Sequence, residues 1–129
     1  MAKITEQHLL GLSEVELNAL PFGIIRLDKT GKILYYNQAQ ADLAHRTIAT
    51  TVGLNFFSDV APCAAIKSFQ GRFSEFVTAP GSRIVPFEFL FRFDWGAKKV
   101  SITMVKRAED DTVFIVVSTA EAAKASDQA

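Results

Sequence analysis

The sequence of 129 residues predicts an α+β domain built on a five-stranded antiparallel sheet. Five segments rich in β-branched and aromatic residues are bounded by turn chemistry. Apolar and polar residues alternate through the last third of the chain. The helix-periodic segments fall at the start and between the second and third strands, not between every pair of strands. That order places helices on one face of the sheet, adds an N-terminal helical cap, and leaves a small apolar pocket between the sheet and the middle helices.

Residues 6–20 predict the cap. Leu9, Leu10, Leu12, Val15, Leu17 and Leu20 are roughly helix-spaced, Ser13 and Glu16 form a capping-box pair, and Pro21 ends the segment. Phe22–Asp28 and Lys32–Asn37 predict a hairpin around the turn residues Asp28-Lys29-Thr30-Gly31. Gln38–Ala44 predicts a short helix rich in alanine. Arg46–Thr51 predicts a loop or weak helical turn, punctuated by Gly53. Phe69, Phe73, Phe76 and Val77 fall at i, i+4, i+7 and i+8, predicting the chain's clearest helix, capped by Ser68 and stopped by Pro80-Gly81. That stripe reads most simply as core packing.

Phe87, Phe89, Phe91 and Phe93 alternate with Glu88, Leu90 and Arg92, which predicts the third strand. Asp94-Trp95-Gly96-Ala97 is a loop by composition. Val100, Ile102 and Met104 alternate with Lys99, Ser101 and Thr103 in the fourth strand. Glu109-Asp110-Asp111 predicts a turn, and Thr112–Thr119 is apolar enough for a strand buried on both faces. The predicted organisation is a cap over 1–20, a core over 21–119 and a frayed tail over 120–129.

Composition narrows the function. Fourteen basic and fourteen acidic side chains cancel, leaving no electrostatic footprint for nucleic acid or an anionic membrane. No apolar run approaches membrane-span length and no signal-peptide pattern opens the chain, so a cytoplasmic location is expected. His8 and His45 lack partners at metal-ligand spacing. Gly-rich phosphate loops and Gly-x-Ser-x-Gly turns are absent, and Cys63 has no His–Asp/Asn escort, so no enzyme is expected.

Cys63 is the only cysteine. Pro62 keeps regular helix from running into it, which predicts an irregular segment or a helix start, where thiol pKa values tend to fall. Alone, such a cysteine is either a buried small hydrophobe or a site of chemistry.

Its surroundings favour chemistry. Ile33-Leu34-Tyr35-Tyr36-Asn37 followed by Asn55-Phe56-Phe57-Ser58-Asp59-Val60-Ala61-Pro62-Cys63 resembles the photoactive yellow protein family, a branch of the PAS fold. The similarity continues through Phe69-Gln70-Gly71-Arg72-Phe73, Phe87-Glu88-Phe89, Lys99-Val100 and Met104, and spans roughly residues 20–119. The resemblance implies a bacterial blue-light photoreceptor carrying p-coumaric acid (4-hydroxycinnamic acid) as a thioester on Cys63. It implies trans–cis photoisomerisation, a light-triggered conformational change, and a separate downstream signalling protein as partner. No output segment is read after residue 119, and the expected state is a monomer or weak homodimer.

Carried over position by position, the resemblance makes Tyr36 a hydrogen-bond donor to the chromophore phenolate. Gln40 stands where the family usually has a glutamic acid giving the second hydrogen bond. Arg46 becomes a gate over the ring, and Ala44 replaces a threonine that bonds the tyrosine. Phe56, Phe57, Phe69 and Phe91 are candidates for the apolar shell. Trp95 is a further candidate for chromophore contact; it and Gly96 stand in a loop where the family often has a methionine that speeds recovery, and its replacement points to slower recovery. The alternative is a chromophore-free PAS interaction or dimerisation module with a merely buried cysteine. A third option is a sensor whose Cys63 reacts with electrophiles or oxidants. The Asn-Cys-Arg-Phe-Leu pattern of flavin-binding light sensors is absent.

Overall fold

The computed structural model describes residues 12–81, 83–93, 95–106 and 112–118. The expectations for residues before 12, for the acidic turn at 109–111 and for the tail at 120–129 lie outside these. The elements are α1 (Glu14–Asn18), β1 (Gly23–Leu27), β2 (Ile33–Tyr36), α2 (Gln38–Ala44), α3 (Arg72–Thr78), β3 (Arg83–Phe93), β4 (Gly96–Lys106) and β5 (Val113–Ser118). The strands form one sheet in the order β2-β1-β5-β4-β3, every neighbouring pair antiparallel. Two hairpins are thus joined through the last strand, which lies in the centre and is buried on both faces, as its unbroken apolar run predicts.

Alternation along each strand sorts side chains onto two faces. Ile25, Leu27, Val100, Ile102, Met104, Val113, Ile115 and Val117 pack with Phe56, Phe57, Phe69, Phe73 and Phe76 from the middle segments. Ile24, Val105 and Phe114 point the other way and pack with Leu17 and Phe22. The middle helices therefore share one face, as expected, while α1 covers the other. The Ser13–Glu16 capping box forms in both directions: Glu16 N–H donates to Ser13 Oγ (3.2 Å) and Ser13 N–H to Glu16 Oε1 (2.9 Å).

Between α2 and β3 the chain departs from simple helix. Phe56–Val60 forms a wide, π-type turn closed by Ala61 N–H on Phe56 O (2.7 Å). Pro62 has no N–H to continue it and instead opens a single tight turn, Pro62–Ala64, at the first helical position. The predicted long helix is split: Lys67–Gly71 is a second π-type turn that runs into α3. Ser68 does not cap it, because it lies inside that turn, where its carbonyl accepts from Arg72 Nε (2.9 Å). The apolar stripe is nonetheless packed inward, with Phe69, Phe73 and Phe76 buried. Lys106 Nζ donates to Ala79 O at the end of α3 and lies over the Phe76 ring (5.6 Å), a cation at the negative end of a helix.

Strand β3 starts at Arg83, earlier than the phenylalanine alternation indicates, and runs through Pro86. A proline is compatible here because β3 is at the sheet edge. The predicted loop at 94–97 is shorter than expected, since Phe93 already pairs with Gly96.

Candidate functional site

Tyr36 ends β2, and the next residue, Asn37, starts α2. Asn37 is fully buried and works as an N-cap, the role Asn favours. Its Oδ1 accepts from Gln40 N–H (3.0 Å) and from Ile24 N–H (2.9 Å). Its Nδ2 donates to Leu17 O (2.9 Å) and Phe22 O (3.0 Å). One side chain thus fixes the start of α2 against β1 and the N-terminal segment, and so fixes Gln40, one turn in. At the other end, His45 takes a left-handed conformation (φ 56°), and Arg46 N–H bonds back to Ala41 O (2.9 Å), a six-residue helix-ending loop. That reversal sends Arg46 back over α2. Its Nε donates to Thr51 Oγ1 (3.0 Å), and buried Thr51 donates in turn to Thr47 O (2.7 Å).

Asn55 positions the opposite wall. Its Oδ1 accepts from Phe57 N–H (3.0 Å) and Ser58 N–H (3.1 Å), and its Nδ2 donates to Thr30 O (2.9 Å). Asp59 Oδ2 accepts from Asn55 N–H (2.9 Å). The π-type turn is thereby stitched to the β1–β2 turn.

A cavity of about 250 Å³ lies between these walls. Tyr36, Gln40, Ala44 and Arg46 line it from β2 and α2; Phe56 and Asp59–Pro62 line it from the π-type turn; Phe91, Arg92 and Phe93 line it from β3. Cys63 directly follows this lining. It is half-buried, packs on the core, and its Sγ accepts from Arg92 N–H (3.5 Å).

Two buried polar atoms here have no partner: the Tyr36 hydroxyl oxygen and Gln40 Oε1. Burial pushes the Tyr36 phenol above its ordinary value near 10, opposed by the neighbouring Gln40 side chain and the positive charge of Arg46. The Gln40 amide lies close, but the hydroxyl makes no hydrogen bond of good geometry. An unpaired polar group inside a protein costs roughly 1–3 kcal/mol, so the Tyr36 hydroxyl at the cavity wall marks a place built for a ligand's polar end.

Of the residues singled out in the sequence, Tyr36, Gln40, Ala44, Arg46, Phe56 and Phe91 line the cavity together, and Cys63 adjoins it. Phe57 and Phe69 stand one layer back. Phe57 contacts Phe56 edge-on (5.1 Å between centroids), and Phe69 lies 5.7 Å from Phe56 and 5.9 Å from Phe91. Trp95 is not among the lining residues. Its ring stacks on Phe93 (5.1 Å, 7° between planes) and on His45 (5.2 Å), and its Nε1 donates to Leu43 O (2.9 Å). Those contacts hold it outside the lining, at 42% exposure. Asp59, Arg92 and Phe93 were not singled out. Phe93 was within reach of the sequence, since it follows Phe91 in strand phase.

The residues fit an anionic aromatic ligand. Aromatic and aliphatic walls match a ring, a phenol and an amide meet at one side, Arg46 and Arg92 exceed the single carboxylate Asp59, and the only thiol is next to the lining. Among the described residues no three His, Cys, Asp or Glu side chains converge as a metal site. No helix among them is long and apolar enough to cross a membrane.

No protein-family model matches the chain. Known proteins do. The photoactive yellow protein of Halochromatium salexigens is 42% identical over 112 residues, covering 87% of this chain and 89% of that protein. That of Rhodothalassium salexigens is 37% identical over the same share of each chain. The chain belongs to the photoactive yellow protein family. Among solved structures, the photoactive yellow protein domain of the sensor histidine kinase Ppr from Rhodospirillum centenum superposes with a TM-score of 0.80 at 35% identity, covering 89% of this chain and all of that one. A PAS domain of an HTR-like protein from Haloarcula marismortui, at 17% identity and a TM-score of 0.65, shares the fold alone. The fold is therefore that of a photoreceptor PAS domain of this family.

Proposed function

We propose that this protein is a blue-light photoreceptor that holds p-coumaric acid as a thioester on Cys63. The observation that supports this most is the buried, unpartnered Tyr36 hydroxyl beside the Gln40 amide, in a cavity adjoining the only cysteine. When bound, the pigment supplies blue-light absorption and a double bond that isomerises between trans and cis.

The protein's residues supply the rest. Tyr36 would donate a hydrogen bond from its hydroxyl to the pigment's phenolate oxygen, and the Gln40 amide would donate a second. An isolated buried anion would be protonated, because burial disfavours the charged form. Each hydrogen bond to a charged acceptor is worth roughly 1.5–3 kcal/mol, so two such bonds oppose that tendency. Arg46 and Arg92 add positive charge, and Arg46, tied to Thr51, covers the ring against water. Gln40 cannot give up a proton as a carboxylic acid can, so a proton taken up after isomerisation comes from solvent or another group. The readout passes to a separate signalling protein; the chain acts as a cytoplasmic sensor, without catalysis, as a monomer or weak homodimer.

Coexpression with a source of activated p-coumarate tests the reading. A yellow protein is expected, heavier by one coumaroyl group, with colour and mass gain both absent in Cys63→Ala. A colourless product with a free thiol overturns it and leaves a chromophore-free PAS interaction module.

A further inference from the structure

We propose that Gly23 is a positioning residue that aims the Gln40 amide into the cavity. Gly23 is buried at the start of β1, opposite Val117 of β5. Asn37 Oδ1 binds both Gln40 N–H and the N–H of Ile24, so the first turn of α2 is pinned directly over this glycine. The Gln40 side chain fills the space a Cβ would take there. A methyl on Gly23 would overlap Gln40 Oε1 and come within 3.1 Å of Gln40 Cδ and 3.2 Å of its Cβ.

The amide oxygen is therefore the branch that lies against the strand, buried and without a donor. In a planar amide the nitrogen branch must then point away from β1, towards the cavity that Gln40 lines beside Tyr36. This direction matters chemically. An amide presents a donor on one branch and an acceptor on the other. Turned the other way, Gln40 would place an oxygen against a ligand anion and repel it. Nothing in a lone glutamine guarantees the useful direction; the missing side chain at position 23 provides room for the oxygen on the strand side. Gln40 is only 2% exposed, so its amide has the strand side and the cavity to choose between, and not bulk solvent.

The inference rests on the proposed pigment for its main readout, so the test has a second arm in unloaded protein. In pigment-loaded Gly23→Ala, the pigment's phenol pKa is expected to rise by about one unit or more, with a red-shifted band, as one donor to the anion is lost. The same substitution in a Gln40→Ala background is expected to change neither. In unloaded Tyr35→Phe protein, where Tyr36 is the only tyrosine, Gly23→Ala is expected to move the Tyr36 titration, followed by carbon-13 NMR, further up, again only when Gln40 is present.

Equal shifts with and without Gln40, or no shift with it, overturn the proposal. If Gly23→Ala folds only together with Gln40→Ala, the methyl is refused by the amide, which supports it. If neither variant folds, the strand itself refuses the methyl and the proposal fails. Wild-type protein that takes up no pigment refutes the photoreceptor reading alone, and the Tyr36 arm still decides the role of Gly23.

Discussion

An amide at position 40 and a methyl at position 44 leave Tyr36 with fewer partners than a carboxylic acid and a threonine would give it. An amide is the weaker donor to a phenolate, so in the proposed pigment complex negative charge would spread further over the pigment. Loaded Gln40→Glu is expected to absorb to the blue of the parent; an unmoved or red-shifted band contradicts this. In unloaded protein the raised Tyr36 pKa, caused first by burial, carries a pH signature. Its contribution to stability is fully present below about pH 10, the ordinary phenol value, and is lost as pH rises through the higher folded-state value. Urea midpoints of Tyr36→Phe are thus expected to fall less steeply than those of the parent at alkaline pH. Asn37→Ala removes both acceptor bonds to Gln40 and Ile24 and takes the side-chain donor away from the Leu17 and Phe22 carbonyls. A loss of roughly 2–4 kcal/mol is expected by chemical denaturation. At this scale, residues with a motif around them were legible. Asn37 as a buried hub and Gly23 as a vacancy for Gln40 were not, because their partners lie 13 to 20 positions away or across the helix–sheet interface.

The sheet was largely legible because a strand's apolar residues repeat every two positions and its ends carry turn chemistry. The middle segments were less so. A stripe at Phe69, Phe73, Phe76 and Val77 says which side is buried, but a π-type turn and an α-helix both bury that side over so short a stretch. Proline at 86 hid the first residues of β3, since a proline argues against a strand unless the strand is known to be at an edge. The contacts of Trp95 were not legible, because a hairpin tip's direction depends on what it meets, here His45 and the Leu43 carbonyl. The aromatic layer sets the energetic weight of these elements. Phe69 is fully buried and touches Phe56, Phe57, Phe87, Phe89 and Phe91. Phe69→Ala is expected to cost about 3–5 kcal/mol in unfolding free energy. A smaller loss would mean the surrounding rings collapse into the gap.

For the molecule as a whole, the fold class followed from element order, but the two-sidedness of the core did not. Both faces of β1 and β5 need cover, and α1 supplies it on the side away from the cavity. Removing residues 1–20 is expected to expose Ile24, Val105 and Phe114 and to raise binding of a hydrophobic dye; unchanged dye fluorescence would show that this face is covered by other means. Strand β3 has a different problem, since its outer side has no neighbouring strand among the described residues. Arg92 N–H points outward, to the Cys63 sulfur, so by two-residue alternation along an unbroken register the backbone nitrogens of Leu90, Glu88, Pro86 and Ile84 share that side. Pro86 contributes no proton to that row, and the thiol already occupies the one at Arg92. A stray extended peptide therefore finds two of the five positions closed, at Pro86 and Arg92, where it would need a continuous ladder, which makes this rim a poor template for intermolecular β-assembly.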